Sequence, residues 1–141
     1  MATEDPFHLR RFVDAQGPVY EAVLGELRAG RKRTHWMWFI FPQIAGLGHS
    51  SMAQRFAISS LDEAVAYAAH PVLGPRLREC ARLVAGIEGR SIDEIFGGPD
   101  DLKFRSSMTL FARAAPEEPV FEECLRRFFA GAPDPQTLDR L

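Results

Sequence analysis

The sequence holds few of the residues that announce a chemistry. Of its 141 residues only two are cysteine, Cys80 and Cys124. Both lie in helix-like apolar patterns without Cys-x-x-Cys spacing, which reads as reduced, buried thiols rather than a redox pair. The four histidines, His8, His35, His49 and His70, have no ligand spacing, so no metal is expected. No apolar run approaches the roughly 18 residues of a membrane span. There is no basic excess: 17 Lys and Arg face 19 Asp and Glu, for a net charge of −2. That argues against general nucleic-acid binding. The P-loop, the dinucleotide Gly-x-Gly-x-x-Gly, the zinc-protease helix, the Gly-x-Ser-x-Gly elbow and the EF-hand are all missing, and no cofactor is expected. The opening Met1-Ala2-Thr3-Glu4-Asp5-Pro6 is acidic and polar, unlike a secretory leader. A cytoplasmic protein is the expectation.

What is present is helix punctuation. One folding unit over residues 1–141 is the natural reading, long enough to bury a core without staples. Asp5-Pro6 reads as N-cap and first helical position. Gly17-Pro18 separates that helix from a second, whose stripe is Tyr20, Val23, Leu24 and Leu27. Ser51 is read as the cap of a short helix. Ser60-Leu61-Asp62-Glu63 and Ser91-Ile92-Asp93-Glu94 match capping boxes. His70 before Pro71 reads as a helix end, because the residue before proline avoids the α region. Leu73, Leu77, Cys80, Ala81 and Val84 form another stripe. Gly97-Gly98-Pro99 is a turn, after which Asp100 and Asp101 suit the positive end of a helix reaching about Ala114. Pro119 precedes a further apolar stripe, Gly131 stops it, and Asp134-Pro135 caps a last turn. The sum is an all-α protein of seven or eight short helices.

Three segments could carry chemistry. Both tryptophans lie in Thr34-His35-Trp36-Met37-Trp38-Phe39-Ile40-Phe41-Pro42-Gln43, directly after Arg31-Lys32-Arg33. The run is apolar on all sides, so it is expected as a buried strand-like or irregular stretch. Alternation would then put His35, Met37 and Phe39 on one side and Trp36, Trp38 and Ile40 on the other, with at most one tryptophan facing a pocket. Cations beside indoles can hold phosphate while a base stacks. They can equally be a solvated loop next to core. The second segment, Gln43-Ile44-Ala45-Gly46-Leu47-Gly48-His49-Ser50-Ser51, can present backbone N–H groups to an anion or can be a plain connector. The third, Asp100 to Thr109, is polar for a half-buried helix, and Ser106 with Ser107 are poor helix formers. It can line a site, or it can be surface ion pairing.

The stretches His-Trp-Met-Trp-Phe-Ile-Phe-Pro-Gln (His35–Gln43) and Asp-Asp-Leu-Lys-Phe-Arg-Ser-Ser-Met-Thr-Leu-Phe (Asp100–Phe111), with Ser60 to Cys80, resemble the family catalogued as domain of unknown function eighteen-ten. Its members are sometimes mistitled calpastatin-like. The resemblance spans nearly the whole chain and implies a compact all-α fold, with no activity attached. A weaker similarity, carried by Lys103, Met108 and Pro119 to Leu125, is to the superfamily that processes NAD-derived ADP-ribose and related N-glycosides. It brings no catalytic residue and only points to a ligand class.

Two functional expectations follow. In one, the protein binds or hydrolyses a small phosphorylated, nucleotide-sugar-like ligand such as ADP-ribose. His35 and Asp101 would then move protons, and Arg33, Trp36, Trp38, Gln43, Lys103, Arg105 and Ser107 would bind the ligand. In the other, it is a non-catalytic helical interaction module whose aromatic run is core.

Overall fold

The structure, a computed structural model, describes residues 4–141, so the opening Met1-Ala2-Thr3 lies outside the described residues. Among the described residues ten helices follow one another: α1 Arg10–Gln16, α2 Tyr20–Arg28, α3 Met37–Ile40, α4 Ser51–Arg55, α5 Leu61–Ala69, α6 Leu73–Ala85, α7 Ile92–Phe96, α8 Asp100–Ala114, α9 Val120–Phe129 and α10 Pro135–Asp139. The element not anticipated as a helix is α3, a single turn of four residues, too short to show a periodic stripe. Among the described residues the only β pairing is one isolated parallel bridge between Ile44 and Ile58.

The caps explain the boundaries. Ser91 and Glu94 form the full reciprocal box at α7. At α5 only half of it forms. The Ser60 hydroxyl accepts from the Glu63 N–H, but the Glu63 carboxylate turns away to accept from Ser59 N, Ser59 Oγ and Arg11 Nη2. Ser50, not Ser51, caps α4. Asp5 is not the N-cap of the first helix, which is Leu9 without a side-chain cap; its carboxylate reaches across an intervening turn to accept from Leu9 N and Arg10 N. His8 in that turn has φ +52°, so the regular helix begins at Arg10 rather than beside Pro6.

Helices α5, α6, α9 and α8 pack in a ring, α5 against α6 and α8, α9 against α6 and α8. Their inward stripes are Ala64 and Tyr67, Leu77 and Cys80, Phe104, Met108 and Phe111, and Phe121 with Leu125, all buried. Helix α2 covers α6, α1 covers α3, and α7 and α10 dock on α8.

The aromatic segment departs from the strand-like expectation. Residues Met37–Ile40 form one helical turn, so side chains rotate by about 100° per residue instead of alternating. Trp36 and Met37 are therefore both buried, while Trp38 between Met37 and Phe39 is half-buried. The segment feeds two aromatic clusters. Trp36 and Phe41 meet Phe96 and Phe104, with Phe41 edge-on to Phe104 at 4.9 Å. Phe39 meets Phe56, which leads to Phe12, Tyr67 and Phe111. Buried Gln16 fastens the turn from behind, donating to Phe39 O at 2.7 Å and Tyr67 Oη at 2.9 Å.

Candidate functional site

Pro42 ends the aromatic turn, and the chain then pairs briefly with residue 58. Ile58 N donates to Gln43 O and Ala45 N to Ile58 O. With its backbone so occupied, Gln43 is held at a fixed place while its side chain stays half-exposed. The following loop turns at Gly46, where φ is +99° and a Cβ would come within 2.5 Å of Arg140 Nη1. A side chain there would meet both backbone strain and that guanidinium, so glycine is required.

The first turns of α8 lie beside this loop. Lys103 Nζ stands 5.5 Å from the Trp38 ring centroid. It also lies 3.6 Å from Asp100 Oδ1, while Asp100 Oδ2 is 2.9 Å from Lys32 Nζ. Two lysines thus share one carboxylate, and the charge of Lys103 is only partly met. Trp38, Gln43 and Lys103 line a small pocket of about 10 Å³, room for about one water. Gln43 and Lys103 also stand at the head of a groove of about 660 Å³ between the loop, α8 and α10. Leu47, Leu102 and Pro135 give it apolar walls, and Arg105, Ser106 and Gln136 polar ones.

The other sequence candidates lie elsewhere. His35 and Arg33 are exposed and line neither the small pocket nor the groove. Trp36 is 1% exposed, so it offers no open face for stacking. Its indole N–H donates to Glu26 Oε1. Asp101 accepts from the N–H of its own neighbour, Leu102, and does not line the groove. Ser107 is fully buried, and its hydroxyl is the one buried side-chain polar atom among the described residues without a hydrogen-bond partner.

Much of the polarity of α8 has a structural address. Arg105 donates from Nε to Ala132 O and from Nη2 to Pro133 O, each at 3.0 Å. Ser106 Oγ donates to Asp134 Oδ2, and Thr109 Oγ1 accepts from Asp134 N. The helix is a docking rail for residues 132–134. Of the five guanidinium N–H groups of Arg105, three have no acceptor among the described residues.

Sequence reasoning included Ser106 and Leu47 in its candidate segments but did not place Asp134 or Gln136 at this groove. Asp134 was legible as a cap, which it is, accepting from Thr137 N and Oγ1. Its bond to Ser106 spans 28 positions, and no local pattern encodes that. The loop anchor Glu26 was also missed, because its partners lie 7, 8 and 10 positions ahead across the end of α2, outside any capping pattern. Its carboxylate accepts from Arg33 N, Thr34 N, Thr34 Oγ1 and Trp36 Nε1. Burial alone would raise its pKa, but these four donors outweigh it and hold the carboxyl below the usual 4.5. Burial pushes both thiols, Cys80 and Cys124, up to about 12, which makes them inert at neutral pH. Among the described residues no three His, Cys, Asp or Glu side chains gather as a metal site, and no helix is long and apolar enough to cross a membrane.

A family model matches residues 6–141, and its description is a protein of unknown function, DUF1810. The chain belongs to the DUF1810 family. Among solved structures it is similar to that of the conserved hypothetical protein Rv1873 from Mycobacterium tuberculosis, with 59% identity and a TM-score of 0.96. The match covers 97% of this chain and 98% of that one. No curated protein matches. DUF1810 membership thus fixes the fold over almost the full length and attaches no activity to it.

Proposed function

We propose that this DUF1810 protein binds a small phosphorylated ligand in the groove between the Gln43–Gly48 loop, α8 and α10. The observation that carries the reading is the placement of Lys103 and Gln43 together at the head of a groove whose walls are Leu47, Leu102 and Pro135. A half-neutralised ammonium meets a phosphate, an amide reads a polar edge, and apolar walls accept a sugar or base. Lys103 rests on the Trp38 ring and swings from it to the phosphate. The remaining N–H groups of Arg105 add a second cationic contact.

Binding is favoured over hydrolysis. A hydrolase needs a base within hydrogen-bond reach of the water it activates. Among the described residues, the carboxylate lining the groove is Asp134, and its Oδ2 already accepts three hydrogen bonds. Asp101 and His35 do not line it. The similarity to ADP-ribose-processing N-glycosidases bears on ligand class only, since Met108, Phe121 and Leu125 in that pattern are core residues. ADP-ribose remains within the proposed class as a nucleotide sugar.

A second reading, a helical interaction module, is favoured by one observation. Leu102 is 59% exposed at the edge of the groove. A thermal-shift series with phosphate, ribose 5-phosphate, adenosine, AMP and ADP-ribose separates the two. Stabilisation should grow with the phosphorylated probes and be absent for adenosine. No shift with any phosphorylated probe would leave the interaction module as the better account.

A further inference from the structure

A second cavity lies further along α8 toward its C-terminal end, between α8, α9 and α10. It measures about 380 Å³, within the usual size range of small-molecule sites. Its apolar lining is Ala112, Leu125 and Leu138, and its charged lining is Arg113, Arg126 and Glu122, two cations against one carboxylate. The apolar lining belongs to the inner faces of the helices: Leu125 is 5% exposed and Ala112 9%. The charged lining is under-neutralised. Arg126 reaches Glu122 only at 4.0 Å, with both side chains about two-thirds exposed, a geometry worth little in water. Arg113 makes no ion pair or side-chain hydrogen bond among the described residues, although it is well placed to complement the C-terminal end of α8.

We infer that this cavity takes a monocarboxylate with an apolar body, such as a medium-chain alkanoate. The guanidinium forks of Arg113 and Arg126 match a planar carboxylate, and the leucine lining removes the alkyl chain from water. A bare inorganic anion would leave that lining wet. A neutral chain would leave Arg113 without a partner. Thr109, also in the lining, has its hydroxyl committed to Arg105 O and Asp134 N, so specificity rests on the two arginines. This site shares no lining residue with the Lys103 groove, and neither proposal depends on the other.

The test is a titration of the full chain, with the methyl signals of Ala112, Leu125 and Leu138 followed by NMR. Probes are acetate, hexanoate, octanoate and octanol, each below its aggregation limit. The three methyl groups should shift saturably with octanoate, and affinity should rise about fourfold per methylene from hexanoate to octanoate. Acetate and octanol should bind far more weakly. The double variant Arg113→Gln, Arg126→Gln should weaken octanoate about tenfold or more. Both arginines are exposed, so it should keep the native circular dichroism spectrum. Octanol binding as tightly as octanoate, an unchanged affinity in the double variant, or no shift at these methyl groups would each overturn the assignment.

Discussion

Glu26 shows how one carboxylate can shape a functional neighbourhood without touching a ligand. Its four donors fix the turn that carries Arg33, Thr34 and Trp36, and so the entry to the aromatic segment. Its folded pKa lies below 4.5, so its contribution is fully present above the unfolded value and is lost as pH falls through the folded one. Glu26→Gln should therefore destabilise the protein at pH 7, and the gap to wild type should narrow below about pH 4.5. Urea titrations at a series of pH values check this, and a gap independent of pH would contradict it. Ser107 is the opposite case. A buried hydroxyl with no partner costs stability, and alanine is the better helix former. Ser107→Ala should leave stability unchanged or raise it by up to about 1 kcal/mol. A loss above about 1 kcal/mol in urea would show that the hydroxyl has a partner.

At the scale of elements, α8 does two jobs on two faces. Phe104, Met108 and Phe111 enter the ring of four helices, while Arg105, Ser106 and Thr109 hold residues 132–134 and so set α10 as a wall of both cavities. Asp134→Ala removes the α10 cap and leaves Ser106 Oγ and Thr137 Oγ1 without that acceptor. It should cost about 0.5–2 kcal/mol. Amide exchange should quicken over residues 132–141 and stay slow in α5 and α6. Uniform quickening across the chain would mean that α10 does not open separately. The bounds of α5 and α8 were legible in the sequence because caps, glycine stops and stripes are local signals. Helix α3 was not. Four apolar residues after Trp36 fit a strand or a helical turn equally well, and only Gln16 and the neighbouring aromatics decide between them. The partners of Arg105 and Ser106 were illegible for the same reason, because they are set by tertiary docking. At the candidate site, Trp38, Gln43 and Lys103 were brought together from segments 60 residues apart, whereas His35, Arg33, Trp36, Asp101 and Ser107 were not.

At the largest scale the described residues form a ring of four helices with the other elements packed around one continuous core. Phe111 sits near its centre, fully buried against Tyr67 and Phe121. Phe111→Ala should cost about 3–5 kcal/mol in urea unfolding, and a loss under about 1 kcal/mol would mean that its site collapses without a cavity. Trp36 reports on the core and Trp38, through Lys103 against its ring, on the head of the groove, which gives the most direct test of the proposed binding function. In an amide NMR spectrum the indole N–H signals of Trp36 and Trp38 are followed while AMP or ADP-ribose is added. The Trp38 signal and the Gln43 side-chain amide should move saturably as Lys103 leaves the ring, and the Trp36 signal should stay in place. In Lys103→Ala the affinity should fall about tenfold or more, while the melting temperature stays nearly unchanged. No saturable shift with either probe, or a shift of undiminished affinity in Lys103→Ala, would contradict the account.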